Sequence, residues 1–167
     1  VQVESFAPIA DERARVLVLG SMPSVASLEA DQYYGHPRNA FWPLMAELFG
    51  FDAGLPYAAR VVFLKDARVA VWDVLQSCRR TGSLDSAIDS NSEVPNEIQG
   101  LLRNCPRLGA VFLNGRKAEQ GWRRYFAAEL GDSLSIYTLP STSPAMASLD
   151  FAGKLKAWGA VAEQGSN

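Results

Sequence analysis

Tyr33-Tyr34-Gly35-His36-Pro37-Arg38-Asn39-Ala40-Phe41-Trp42 brings together the only histidine, two adjacent tyrosines, an arginine, an asparagine and a Phe-Trp pair. From Phe41 onward, Phe41, Trp42, Leu44, Met45 and Leu48 recur three and four apart, which suits the buried face of a helix. The residues before Phe41 are too aromatic and too polar together for a plain connector. Aromatic faces beside hydrogen-bonding tips suit a planar polar ligand, and a nucleobase is one such ligand.

The elements that must position this stretch follow from the apolar runs. Arg15 to Leu19 is a short continuous run ended by Gly20, the pattern of a strand buried on both faces. Further strands are predicted at Val69 to Val74, Gly109 to Leu113 and Leu134 to Leu139, and helices at Asn39 to Phe49, Glu97 to Asn104, Lys117 to Leu130 and Asp150 to Ala162. Residues 1 to 14 read as an irregular lead-in, Gly50 to Pro56 as turn-rich, and the acidic stretch after Val74 as loop with helix. Alternating strands and helices predict a three-layer α/β/α sandwich around a central, mostly parallel four-stranded sheet, in one domain over residues 1–167.

In such a sheet the ligand site lies outside the carboxyl ends of the strands. Gly20-Ser21-Met22-Pro23-Ser24, Asn114-Gly115 and Pro140-Ser141-Thr142-Ser143-Pro144 each follow a predicted strand, so all three should line one rim with the aromatic loop.

Composition narrows the function classes. With 48% hydrophobic and 20% charged residues, the chain reads as an ordinary globular protein. No apolar run approaches the roughly 20 residues of a membrane span, and Val1 to Arg15 lacks the basic-then-apolar pattern of a signal peptide, so a cytoplasmic location is expected. Two cysteines far apart and one histidine leave no metal site and no cofactor expected. The net charge of -2 argues mildly against a nucleic-acid partner. Its distribution does not: residues 81 to 100 carry acids alone, whereas 101 to 125 carry Arg103, Arg107, Arg116, Lys117, Arg123 and Arg124 against Glu119. That segregation allows one basic face, or simply a solvated helix face.

Taken in order and spacing, Gly-Ser-Met-Pro-Ser, His-Pro-Arg-Asn-Ala-Phe-Trp, Leu-Asn-Gly-Arg-Lys-Ala and Leu-Pro-Ser-Thr-Ser-Pro-Ala resemble the uracil-DNA glycosylase superfamily over roughly Arg15 to Trp158. The resemblance is nearest to its hypoxanthine-DNA (deoxyinosine) glycosylase branch. It implies that Gly20, Ser21, Met22, Pro23 and Ser24 form the first motif, facing the flipped nucleotide. Many relatives carry Asp or Asn where Met22 stands, to orient the attacking water, and a thioether cannot do that. Asn39 is then the water-positioning candidate, with Tyr34 stacking on the extruded base. Pro140 to Pro144 resembles the second motif, which grips the backbone and helps to push the base out.

The residue types suit that chemistry. A dissociative break of an N-glycosidic bond is helped by fixed dipoles aimed at the departing base, and the base must first leave the stack. Hypoxanthine and uracil both present a carbonyl beside a ring N–H, which the Asn114 amide can pair with; the alternative is a strand-end turn residue. Asn39 could equally cap its helix, and His36 either donates to the leaving base or braces its loop. Arg38, Lys117, Ser141, Thr142 and Ser143 are candidates for DNA contact with Ser24, and Met146 is an apolar wedge or ordinary packing. No lysine lies in the two principal motifs, which disfavours an amine nucleophile with strand cleavage, though Lys117 keeps it open.

The expectation is a monomeric, monofunctional DNA glycosylase that removes deaminated bases, hypoxanthine first and uracil second. The rivals are a base- or nucleotide-binding module of the same fold with weak catalysis, supported by Met22, and a serine hydrolase, which lacks a Gly-x-Ser-x-Gly elbow.

Overall fold

Five consecutive residues with no exposed side chain, Val16–Gly20 (β2), form the centre of the sheet, because a strand covered by helices on both faces has no polar face to present. The computed structural model describes residues 1–166. Parallel to β2 on one side lies Val69–Asp73 (β3), and on the other Ala110–Asn114 (β6) followed by Ser135–Leu139 (β7), giving the order β3-β2-β6-β7. The chain leaves β2 toward β3 and β6 toward β7, so the connections diverge between β2 and β6. An open parallel sheet forms its ligand crevice at such a point.

Side chains alternate across the sheet. Val16, Val18, Val71 and Phe112 pack on one face against Phe41, Leu44 and Met45 of Phe41–Phe49 (α2) and Trp158 of Phe151–Gly165 (α7). Leu17, Leu19, Val111 and Leu113 pack on the other against Leu101 of Ile98–Asn104 (α4) and Trp122 of Arg116–Tyr125 (α5). The expected three-layer α/β/α arrangement is present.

Several local expectations are corrected. Residues 1 to 14 are not all irregular: Gln2–Glu4 (β1) pairs antiparallel with Leu75–Arg79 (β4), and Ile9 exchanges two backbone hydrogen bonds with Val71. The stretch after β3 holds β4, two short 3-10 turns and Val94–Pro95 (β5), which with β1 make a second, three-stranded sheet. Val25–Ala30 (α1) and Tyr57–Asp66 (α3) are additional helices. The predicted helix from Lys117 to Leu130 is two, α5 and Ala127–Leu130 (α6), broken where Phe126 takes φ -128° and turns its ring into the core beside Trp122.

Candidate active site

The last residues of the four parallel strands stand in one row. Gly20 is paired with Asp73, Leu19 with Leu113, and Asn114 with Leu139, so Asp73, Gly20, Asn114 and Leu139 cross the sheet at the same height. All four belong to the face that carries α2 and α7, since each lies an even number of residues from Val71, Val18, Phe112 or Tyr137. Gly20 leaves a notch between two polar neighbours. A Cβ there would lie 2.5 Å from Asp73 Oδ1 and 2.9 Å from the Tyr34 hydroxyl.

Tyr34 enters that notch from the aromatic loop. It holds a left-handed backbone at φ 54°, uncommon for a bulky residue, and its ring stacks on Phe41 with centroids 4.2 Å apart. Asn114 Nδ2 donates to the Tyr34 hydroxyl at 3.2 Å and to Thr142 Oγ1 at 3.0 Å, while Asn114 Oδ1 accepts from the Thr142 backbone N–H at 3.0 Å. Because a backbone N–H can only donate, that last bond fixes which way the amide faces. Burial and the nearby Asp73 charge push the Tyr34 phenol up, against the pull of Asn114.

Thr142 also ties the second strand-end loop to the aromatic one, its carbonyl accepting from Ala40 N–H at 3.0 Å. Next to it, Asn39 Oδ1 accepts from Phe41 N–H at 2.9 Å and so covers the start of α2. That leaves the Asn39 NH2 group as the end of the side chain available to a ligand. His36 Nδ1 accepts from Arg38 N–H at 3.0 Å, so the neutral ring carries its proton on Nε2 and presents a donor there. Ser141 and Ser143 hold the other loop from within: Ser141 Oγ accepts from Ser143 N–H and Ser143 Oγ from Ala145 N–H.

The Asn114 amide, the Thr142 hydroxyl and the Tyr34 phenol meet beside Gly20 at the crevice of a parallel sheet, and the Ala40–Thr142 bond ties to them the loop that carries His36 and Asn39, polar groups of the kind that hold a flat heterocycle by its edges. Residues 7–162 match the uracil DNA glycosylase superfamily. The chain belongs to that superfamily. It is 36% identical over 141 residues to a hypoxanthine DNA glycosylase of Methanosarcina acetivorans, covering 84% of this chain and 85% of the relative. A hypoxanthine DNA glycosylase of Methanosarcina barkeri is 36% identical over 116 residues, covering 69% and 72%. A solution NMR structure of a candidate uracil DNA glycosylase from Methanosarcina acetivorans superposes with a TM-score of 0.83 over the whole of both chains at 31% identity.

Within this superfamily member, the residues singled out in the sequence separate into those at the rim and those elsewhere. Gly20, Tyr34, Asn39, Asn114 and Thr142 are joined by the contacts above. Ser21 donates to Asp85 Oδ1 at 2.6 Å, Met22 is buried, the Pro23 carbonyl accepts from Arg80, and Ser24 caps α1 by accepting from Ser27 N–H. Arg38 is exposed. Lys117 is held away by Glu93, with Nζ 2.6 Å from Oε2. Met146 lies beyond the second loop, its sulfur accepting from Ser148 Oγ.

Sequence reading missed Asp73 and Arg80. Both are 3% exposed; Asp73 Oδ2 and Arg80 Nε and Nη1 are buried without a hydrogen-bond partner among the described residues. Burial, helped by the charge of Asp85 and opposed by Arg80, pushes the Asp73 carboxyl up to about 7. The signal was an acid at the end of an otherwise apolar strand, Val-Ala-Val-Trp-Asp, in register with Gly20. Among the described residues, no three His, Cys, Asp or Glu side chains come together as a metal site.

Proposed function

We propose that this protein is a monofunctional DNA glycosylase that releases deaminated bases, hypoxanthine before uracil, and leaves an abasic site for base excision repair. The whole chain, 1–167, acts as one unit, as a monomer in the cytoplasm. The observation that carries this reading is the knot at Thr142, which joins the Asn114 amide, the second strand-end loop and the Asn39 segment around the Gly20 notch. Membership of the superfamily and the hypoxanthine DNA glycosylases among its relatives support the choice of chemistry.

In this mechanism the damaged nucleotide swings out of the duplex, at a cost of a few kcal/mol that is smaller when the base is mispaired. Asn114 spends both N–H donors on Tyr34 and Thr142 and keeps one lone pair of Oδ1 for a ring N–H of the base, and Asn39, held by its bond to Phe41 N–H, uses its free NH2 to orient the attacking water. His36 offers its Nε2–H to the negative charge developing on the leaving base. The exposed Arg38, with Ser24, Ser141 and Ser143, meets the flanking phosphates by charge and by hydroxyl or backbone N–H groups.

The test is base release from labelled duplexes carrying one deoxyinosine or one deoxyuridine, developed with alkali, for wild type and Asn39→Ala. Alkali-dependent cleavage at inosine that collapses in Asn39→Ala is expected. DNA binding without release of either base would instead leave a base-binding module.

A further inference from the structure

A lysine is almost never buried unless it is paired. Lys154 is 6% exposed and heads the stripe Lys154, Trp158, Val161 and Gly165 that α7 turns toward the sheet. Its ammonium makes no ion pair among the described residues. Asp150, one turn before it, spends its carboxylate on Gly153 N–H as the cap of the helix. Lys117, by contrast, is neutralised by Glu93. Lys154 Nζ is nevertheless not sealed from solvent, since the buried side-chain atoms left without partners are those of Asp73 and Arg80. The stem is covered and the charged tip reaches water. Burial, with no acid to oppose it, pulls the pKa of Lys154 down.

The course of α7 decides where that tip emerges. Trp158 Nε1 donates at 2.9 Å to the Pro140 carbonyl, just past the carboxyl end of β7, and its ring meets Phe41, the first residue of α2, edge to face. At the other end of the helix, a Cβ on Gly165 would lie 3.7 Å from the Ala67 carbonyl oxygen, ahead of β3. So α7 runs from the carboxyl rim of the sheet to its amino edge, and Lys154 stands one turn, about 5.4 Å, outside Trp158. Helical side chains lean toward the N-terminus of their helix, so that of Lys154 leans out over the rim. The same step outward from Pro140 and Phe41 leads to Thr142 and Ala40, whose backbones are joined at 3.0 Å beside Asn39.

We propose that Lys154 is a phosphate-binding residue that takes a backbone phosphate next to the flipped nucleotide, an inference that rests on the glycosylase reading above. A largely desolvated cation without a counter-charge is a cost to the free protein, and an arriving anion relieves it. The loop beside it offers matching donors. Ser141 Oγ and Ser143 Oγ each accept a backbone N–H, which leaves both hydroxyl protons free to be donated. An ammonium carries three donors on a compact charge and so suits a phosphodiester oxygen at almost any angle of approach. Because the junction with the Asn39 segment adjoins it, the phosphate it meets belongs to the nucleotide drawn into the site rather than to distant duplex.

The experiment compares wild type with Lys154→Met, which keeps the stem and removes the charge. Thermal unfolding without DNA should find the variant no less stable than wild type. The binding probe is a fluorescent duplex carrying 2′-fluoro-2′-deoxyinosine, whose fluorine opposes positive charge on the sugar and so slows base loss. Affinity of the variant for it should be lower by roughly 10-fold, and log affinity against log salt should be shallower by about 0.9. A neutral methylphosphonate placed in turn at each linkage around the inosine should locate the contact. At one adjoining linkage, wild type should lose what Lys154→Met loses, and the variant should lose nothing further. Unchanged affinity and slope, a destabilised variant, or equal losses by both proteins at every linkage would overturn the role of Lys154. Release of hypoxanthine from the plain deoxyinosine duplex is scored alongside. Wild type that binds but releases no base would overturn the glycosylase reading while the binding comparison still decides Lys154, and wild type that does not bind would overturn both.

Discussion

Thr142 holds Asn114 by both ends of its amide, accepting from Nδ2 on its hydroxyl and donating to Oδ1 from its backbone N–H, each at 3.0 Å. Thr142→Val keeps the shape and the backbone bond but removes the hydroxyl acceptor. One buried Asn114 N–H then loses its partner, at roughly 1 to 3 kcal/mol. Thermal unfolding should show that loss. Base release should fall with it, because the amide facing the base is no longer held in one orientation.

Asn39 has two separable duties. Its Oδ1 covers Phe41 N–H at the start of α2, and its NH2 is free for water. Asn39→Ala should lose both, costing about 1 kcal/mol of stability and slowing base release by about 10² to 10³. Asn39→Asp keeps the acceptor, so its melting temperature should stay near wild type while activity still falls. Equal stability losses in the two variants would show that the cap is not what Oδ1 contributes.

The sheet was legible because its two inner strands, Val16–Gly20 and Ala110–Asn114, are short apolar runs buried throughout, as only double coverage explains. The three-stranded sheet was not. Gln2–Glu4 and Val94–Pro95 are too short to carry a period, and they become strands only because β4 offers them a ladder. In α3, exposed Val62 and Phe63 blur the stripe that buries Leu64. At the site, Gly20 and Asn114 stood out as turn signals after strands. Asp73 was hidden inside the run from Val69 to Val74, and that it faces the Gly20 notch is a fact of register, which composition does not carry.

Gly20→Ala would put a methyl group 2.5 Å from Asp73 Oδ1 and 2.9 Å from the Tyr34 hydroxyl. Neither can yield cheaply, since Asp73 is held in register by the β2–β3 ladder and Tyr34 is stacked on Phe41. The variant should fold with a loss of roughly 1 to 3 kcal/mol and release base far more slowly than that loss explains. Base-release assays well below the melting temperature separate the two effects.

Glu93 has a side chain only 2% exposed, yet it meets Lys117 Nζ at 2.6 Å and the Tyr125 hydroxyl at 2.7 Å. Burial alone would raise its pKa, but the bonds from Lys117 and Tyr125 outweigh it and hold the carboxyl below its usual range. A depressed carboxylate contributes stability above its unfolded pKa and loses it as pH falls through the folded one, so this contribution disappears in acid. Lys117→Met should leave Glu93 with Arg124 Nη1 at 3.7 Å and the Tyr125 hydroxyl alone and cost no more than about 3 kcal/mol at neutral pH. Lys117→Met with Glu93→Gln should recover part of that, and denaturant titrations at pH 7 of the single and double variants measure the difference.

Asp73 works in the opposite sense. Its folded pKa, about 7, lies above the ordinary 3.8, so the folded protein keeps a proton that the unfolded chain releases. Below about pH 4 both states are protonated and the residue is nearly neutral toward stability. As pH rises to about 7 the folded state must either hold the proton or bury a charge beside Asp85, and stability falls by an amount on the order of 4 kcal/mol once the carboxyl ionises. Asp73→Asn carries no such proton. Its melting temperature should therefore exceed that of wild type at pH 8 by more than at pH 5, the gap widening from about pH 4 and levelling off above about 7. A gap that is the same at both values would mean that Asp73 is charged throughout and that burial does not hold its proton.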